Sequence, residues 1–452
     1  MPSYLDEIAT FICRCRFEDI PNEVISRAKQ VIADCLGVIA KGAQEDEIRI
    51  FTSRVVVPGA RGLSTVIGLG FRTEPLIASL INGTAGTFLE LDEGNRFARG
   101  HPAIHVIPAA LAVAEEKNLP GKELLTSFVL GYEIAARIGV ACKLRVFMQS
   151  HGTWGTVGAA VAVGKLNGYD KQNMIKIINV SSSLSLATSN RTALEGGTVR
   201  NVYAGVSGYM GILSDHLVQS GFTGENDGLN SVFGNVVSET FSPELVTEEL
   251  GTRFEIMRNY FKKHACCRHI HPTLDALKSL VSQRPGSRFF PDEIARVEVE
   301  TYSLAARLCD QRPRNMLAAK FSIPFAVSSF IVNGSTGVDS FTQEAIHDPV
   351  IRALAERVTV IENTRFTTMV PNLRPSMVRV TLTDRTVLEN EVLISKGDAE
   401  SPYILEDLAE KYFGLVDGVW NADLGEAIYT DIMNLDALGN INQITNRMIS
   451  AF

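Results

Sequence analysis

The chain has 452 residues, 45% hydrophobic and 21% charged, with 43 Lys plus Arg against 51 Asp plus Glu and a formal charge of −8. At roughly 150 residues per domain this allows about three domains, or two if one is large, and a core that needs no disulfide or metal staple. An acidic chain without a basic tract is a poor partner for nucleic acid or an anionic membrane. The start, MPSYLDEIATFICRCRF, has no small-residue cleavage site after an apolar core. Seven cysteines at irregular spacing make no disulfide framework. The expectation is a cytoplasmic protein of a reducing compartment. The longest uncharged run, Val146 to Gly164, holds Gln149, Ser150, His151 and four glycines, and so reads as a buried or site-lining segment, not a membrane span.

In chain order, the first two-thirds read as helices. Val24, Ala28, Val31, Ile32, Cys35 and Ile39 share one helical face between Pro21 and Gly42. Leu124, Phe128, Tyr132 and Ala135 repeat the period after Pro120-Gly121. Gly155 to Gly168 and Ala204 to Gly211 are rich in small residues, for which close helix packing is the first reading. Ser242-Pro243-Glu244 reads as an N-cap, a first-turn proline and a dipole-matched acid, with Gly251 closing that helix. After Arg284-Pro285-Gly286 the pattern changes. Val297 to Glu300, Val358 to Val360 and Val378 to Leu382 alternate as strands do, and Thr383-Asp384-Arg385-Thr386 reads as a hairpin turn leading into Val387 to Leu393. Ala318 to Val332 suits one buried helix, and the chain is helical again from Pro402. The expected organisation is a large all-helical domain over 1–284, closed by 396–452, with a small α+β domain over 285–395.

Eight histidines are present, and six of them fall in three short segments. The first runs from Glu90 through Asp92 and Glu93 to His101-Pro102, with His105 one turn on. The second is His151-Gly152-Thr153. The third is Lys262-Lys263-His264-Ala265-Cys266-Cys267-Arg268-His269-Ile270-His271. Carboxylates, histidines and lysines brought together hold each other's pKa values near neutrality, as acid–base chemistry requires. Each segment also has a plain reading: a solvated helix end, a loop histidine, an exposed charge pair beside buried cysteines. Metal is the competing chemistry, from Cys266, Cys267, His269 and His271 or from Asp92, Glu93, His101 and His105. Adjacent cysteines with His-x-His lack the spacing that turns two ligands onto one ion, so no metal is expected. Phosphate-loop, dinucleotide and nucleophile-elbow motifs are absent.

The three segments, in this order, resemble the MmgE/PrpD family. The resemblance rests on Asn82-Gly83 with Glu90-Leu91-Asp92-Glu93 and Gly100-His101-Pro102, on His151-Gly152-Thr153, and on Gly221-Phe222-Thr223-Gly224. Lys262 with Cys267 and His271, and Lys320-Phe321-Ser322-Ile323-Pro324, complete it. It implies a large all-α domain with a small α+β domain, a homodimer, and a site between the domains. It also implies Lys262, His101, His151 and Asp92 as catalytic residues and Glu90, Glu93, Arg200, Tyr203 and His271 as substrate-binding ones. Glu90 stands where many members have Asp. Arg200 and Tyr203 replace a lysine and a histidine, Gly94 replaces a hydroxyl residue, and Arg145 replaces a tyrosine of the family's epimerase.

Dehydration, decarboxylation and epimerisation are the reactions this resemblance implies. The expectation is therefore a lyase without cofactor, dehydratase-like, acting on a small di- or tricarboxylate next to a carboxylate. An epimerase or other isomerase is the alternative, and a non-catalytic binding protein that kept the pocket is a further one. Lys262 is the first choice for the base, against a purely structural ion pair with Glu90, Asp92 or Glu93.

Overall fold

A computed structural model describes residues 2–57, 59 and 62–450. The helical part is built around Trp154–Leu166, which packs against Gly121–Ala141, Pro102–Glu116 and Tyr203–Gln219, while Tyr203–Gln219 also lies on Pro75–Phe88. Small residues decide how close these axes come. A Cβ at Gly83 would stand 2.7 Å from the Gly205 Cα, and one at Gly131 would stand 2.6 Å from the Gly158 carbonyl oxygen. At those crossings the backbones touch, so close packing does account for the glycine-rich helices. Gly121–Ala141 is long and apolar enough, by length and composition, to cross a membrane, but it is buried among its neighbours.

The helix expected between Pro21 and Gly42 is Asn22–Gly42, and its apolar face carries the C-terminal helices Leu405–Val416 and Ala422–Met433. A four-stranded sheet is made of Ile294–Thr301, Val358–Glu362, Ser376–Leu382 and Val387–Val392. Ile294–Thr301 pairs parallel to Val358–Glu362 and antiparallel to Ser376–Leu382, and the last two strands form the hairpin read at Thr383 to Thr386. The fold is thus a large helical part with a small α+β part.

Two local expectations are corrected. Ala318 to Val332 is not one helix. Met316–Ala319 ends before Lys320, and Ile323–Asn333 starts afresh, with Ser322 Oγ accepting from the Phe325 amide and Pro324 in its first turn. Proline has no amide for an earlier carbonyl, so the chain breaks there and Phe321 is left free to reach the cavity described below. The helix after Ser242 is only Pro243–Thr247, Ser242 makes no side-chain cap, and Gly251 lies in a later turn. Three two-stranded pairs have no counterpart in the sequence reading. The smallest, Gly94-Asn95 with Asn259-Tyr260, ties the acidic segment to the lysine segment.

Candidate active site

Four elements converge on one cavity of about 320 Å³. The acidic segment follows Pro75–Phe88, with Glu90 in the left-handed region at φ 54°. Asn95 then folds the loop tightly: its Oδ1 accepts from the Phe97 and Ala98 amides, both at 2.9 Å. The loop ends at His101, just before Pro102 opens the next helix.

His101 lines the cavity. Its Nδ1 donates to the Glu93 carbonyl oxygen at 2.7 Å, and Asp92 Oδ2 stands 2.9 Å from the same nitrogen without the angle of a good hydrogen bond. That fixes the proton on Nδ1 and leaves Nε2 for the cavity. Asp92 is fully buried behind the ring. Burial alone would push its carboxyl up, but His101 first, then Lys262 and Arg200, outweigh burial and hold it well below the usual carboxylate range.

His105 does positioning work one turn further on. Its Nδ1 donates to the His101 carbonyl oxygen at 2.7 Å and its Nε2 accepts from the Gly152 amide at 3.1 Å, so it fixes the loop that carries His151. Burial brings its pKa down to about 4, in keeping with a neutral ring using both nitrogens.

The His151 ring centroid lies 4.8 Å from that of His101. Burial, followed by Arg200 and His101, holds its pKa well below the ordinary value. Arg200 Nη2 stands 3.4 Å from His151 Nε2. A guanidinium only donates, so the neutral ring accepts at Nε2 and carries its proton on Nδ1, a buried atom with no partner among the described residues.

Arg200 is buried. Its Nη1 makes an ion pair with Glu90 Oε2 at 2.6 Å, and its guanidinium lies over the Phe321 ring. Lys262 approaches Glu90 from the other side, Nζ donating to the Glu90 carbonyl oxygen at 2.9 Å and standing 3.5 Å from Oε1. Burial would raise the Glu90 carboxyl, but Arg200 and Lys262 together bring it below its ordinary value.

Of the residues expected from sequence, His101, His151, Glu90 and Arg200 line the cavity, and Asp92 and Lys262 stand directly behind that wall. Three residues expected to bind substrate do not line the cavity. Glu93 turns away to the start of Pro102–Glu116, where its Oε1 accepts from the Ala103 amide at 3.1 Å. Burial, with Asp34 and Asp92 nearby, pushes its carboxyl up to about 8 despite that amide. Tyr203 is buried at the start of Tyr203–Gln219 and is not on the wall. His271 begins a helix with its side chain inward, Nδ1 beside Arg268 Nη1 at 3.0 Å and Nε2 near the Cys266 carbonyl oxygen at 3.3 Å. His269 lines the cavity instead, its Nδ1 hydrogen-bonded to the Tyr302 hydroxyl.

Sequence reasoning also missed how basic the wall is. Among the described residues, seven arginines line it, against the single carboxylate of Glu90. Arg96 and Arg268 share Asp398, at 3.7 and 3.1 Å. No pattern in an acidic chain announces such a patch, because its members come from six separate stretches.

A metal fits poorly. Asp92, His101 and His151 bring ligand atoms within 4.8 Å of one another, but the His101 nitrogen that faces Asp92 is already a donor, and Arg200 and Lys262 place two positive charges beside the carboxylates. Around Cys266 and Cys267, both nitrogens of His271 and Nδ1 of His269 are engaged elsewhere.

With this geometry in view, residues 6–245 match the MmgE/PrpD N-terminal domain and residues 264–435 match the MmgE/PrpD C-terminal domain. The chain is similar to cis-aconitate decarboxylase of Aspergillus terreus, 24% identical over 464 residues, covering 97% of this chain and 94% of that protein. Cis-aconitate decarboxylase of Homo sapiens is 23% identical over 468 residues, covering 98% and 94%. To 2-methylcitrate dehydratase of Yarrowia lipolytica it is 28% identical over 157 residues, 32% of this chain and 30% of that protein. Two domain matches that together span most of the chain show that this protein belongs to the MmgE/PrpD family.

Proposed function

We propose that the cavity is the active site of a cofactor-independent lyase acting on a small di- or tricarboxylate, with dehydration as the first reading. The observation that carries it is an arginine-lined cavity with two buried histidines, one backed by a carboxylate, on its wall. Substrate carboxylates bind the guanidinium groups. His101 Nε2 takes the proton from the carbon beside a carboxylate, and Asp92 stabilises the imidazolium that forms. Arg200 faces the enolate-like charge that develops. As the carbon–oxygen bond breaks, the leaving hydroxyl receives that same proton from His101 and departs as water, hydrogen-bonded by His151 Nδ1–H. No further reactant is needed for the step to balance.

The base here is His101, not Lys262, because the Lys262 Nζ is committed to Glu90 behind the wall. A second reading, decarboxylation, is favoured by the names of the relatives that match nearly the whole chain. There carbon dioxide leaves first, and protonated His101 gives its proton to the carbanion.

The test is incubation with hydroxylated and unsaturated di- and tricarboxylates in deuterium oxide, followed by NMR. Loss of water, or loss of carbon dioxide with deuterium incorporation, is expected, and His101→Asn abolishes both. Exchange with inversion and no bond cleavage replaces the lyase with an epimerase. Tight carboxylate binding with neither exchange nor turnover refutes catalysis and leaves a binding protein.

A further inference from the structure

Four arginines on the cavity wall are more than nine-tenths buried: Arg96 and Arg268 at 3% exposure, Arg200 at 1% and Arg374 at 6%. Three have a carboxylate partner. Glu400 and, more distantly, Asp398 serve Arg96, Asp398 serves Arg268, and Glu90 serves Arg200. Arg374 has none among the described residues. Among the described residues its guanidinium makes one hydrogen bond, from Nη2 to the Arg96 carbonyl oxygen at 3.2 Å, and its Nε is buried without a partner. A guanidinium cannot shed its proton to escape burial, so an unpaired one inside a fold needs an anion from elsewhere.

The neighbours strengthen the need. Arg99 lines the same wall, also has no ion pair among the described residues, and feels the charge of Arg374. His269 is pushed down to about 3 by burial and then by Arg374, in keeping with a neutral ring that adds no competing charge. Tyr260 forms the floor, its ring 5.8 Å from the Arg374 guanidinium carbon and 6.1 Å from the His101 ring. Little more than one tyrosine therefore separates the unpaired cation from the proposed base. Arg374 lies two residues before the strand Ser376–Leu382, so the small α+β part supplies it while the helical part supplies the histidines.

We infer that Arg374, assisted by Arg99, is the anchor for a carboxylate of the substrate remote from the reacting carbon, and that it selects substrates with at least two carboxylates. This rests on the reading that the cavity binds carboxylates, but not on which reaction follows. A planar carboxylate matches the fork of guanidinium N–H groups that Arg374 leaves free. Inorganic phosphate could answer the same charge, and the test separates the two.

The test is calorimetric binding to the full chain, which does not depend on turnover. The probes are tricarballylate, butyrate and inorganic phosphate, titrated into wild type, Arg374→Gln, Arg374→Lys and Arg99→Gln. Losing charge-assisted hydrogen bonds predicts that Arg374→Gln weakens tricarballylate by about tenfold or more and leaves butyrate unchanged. Arg374→Lys recovers part of the loss, and Arg99→Gln, on an exposed side chain, costs a few-fold that added salt diminishes. If Arg374→Gln does not fold, the Lys and Arg99 variants decide. Equal loss for butyrate and tricarballylate, unchanged tricarballylate binding, or Arg374-dependent binding of phosphate alone overturns the assignment. A wild type that binds tricarballylate through Arg374 yet shows no turnover or exchange overturns the lyase reading and leaves this one standing.

Discussion

Replacing Lys262 by methionine separates a base from a structural cation. Methionine keeps the apolar stem in a site with no solvent exposure, so little volume is lost. What goes is one donor to the Glu90 carbonyl oxygen and one of two cations on the Glu90 carboxylate. An unsatisfied buried carbonyl costs about 1–3 kcal/mol, and breaking a buried ion pair costs about 3–5 kcal/mol when the other charge is left alone. Glu90 keeps Arg200 at 2.6 Å, so the ionic part falls to a fraction, and a total of about 2–4 kcal/mol is expected. With about 2.1 cal/mol/K of unfolding entropy per residue, a chain this long loses about 1 °C per kcal/mol, hence a Tm lower by about 2–4 °C. Deuterium exchange into substrate should persist, slowed about tenfold by the displaced Glu90 and Arg200, whereas loss of a true base costs about 100- to 10,000-fold. Calorimetry and exchange measured on the same preparation give both values. A Lys262→Met protein with unchanged Tm and no detectable exchange would refute the argument and return the base to Lys262.

Glu93 holds its proton up to about pH 8 in the folded chain, while the unfolded chain releases it near 4.5, so this group's contribution to stability declines as pH rises across that window. Glu93→Gln should therefore gain Tm relative to wild type progressively from about pH 5 to about pH 8, and a pH-independent difference would contradict the assignment. The depressed His105 acts oppositely, because the unfolded chain takes up protons below about 6.5 that the folded ring refuses until about 4; its contribution rises with pH between those values, and His105→Gln should flatten that rise in a Tm–pH series. Gly155→Ala places a Cβ 2.4 Å from the His105 ring, so it should cost about 1–3 kcal/mol and lower kcat through the displaced His151 loop; wild-type kinetics with an unchanged Tm would show that the ring has room to move. His151→Phe keeps the ring volume but removes Nδ1–H, and should lower kcat with little change in tricarballylate affinity; a matching loss of affinity would make His151 a binding residue.

Local chemistry determined a good deal of this protein on its own. Apolar period and flanking Pro and Gly placed Asn22–Gly42 and Gly121–Ala141, because a helix face and its ends are written within one stretch of chain. Alternation from Val297 to Leu393 disclosed the strands, and the ordered His, Asp and Lys segments disclosed the family. Tertiary structure alone decided which of those residues reach the cavity. Glu90 and Glu93 lie three residues apart on one short segment, yet Glu90 faces the cavity and Glu93 caps a helix, since the backbone turns through a left-handed residue between the helix and the strand pair. His269 and His271 look equivalent in sequence, but the helix that starts at His271 carries it inward and leaves His269 on the wall. Lys262 reads as a candidate base, whereas its contact with Glu90, 172 residues earlier, exists only in the fold. The basic wall was invisible for the same reason. Whether an arginine is free or paired depends on Asp398, Glu400 and Glu90, which meet it only after folding, and Coulomb interactions depend on separation in space whatever the distance along the chain.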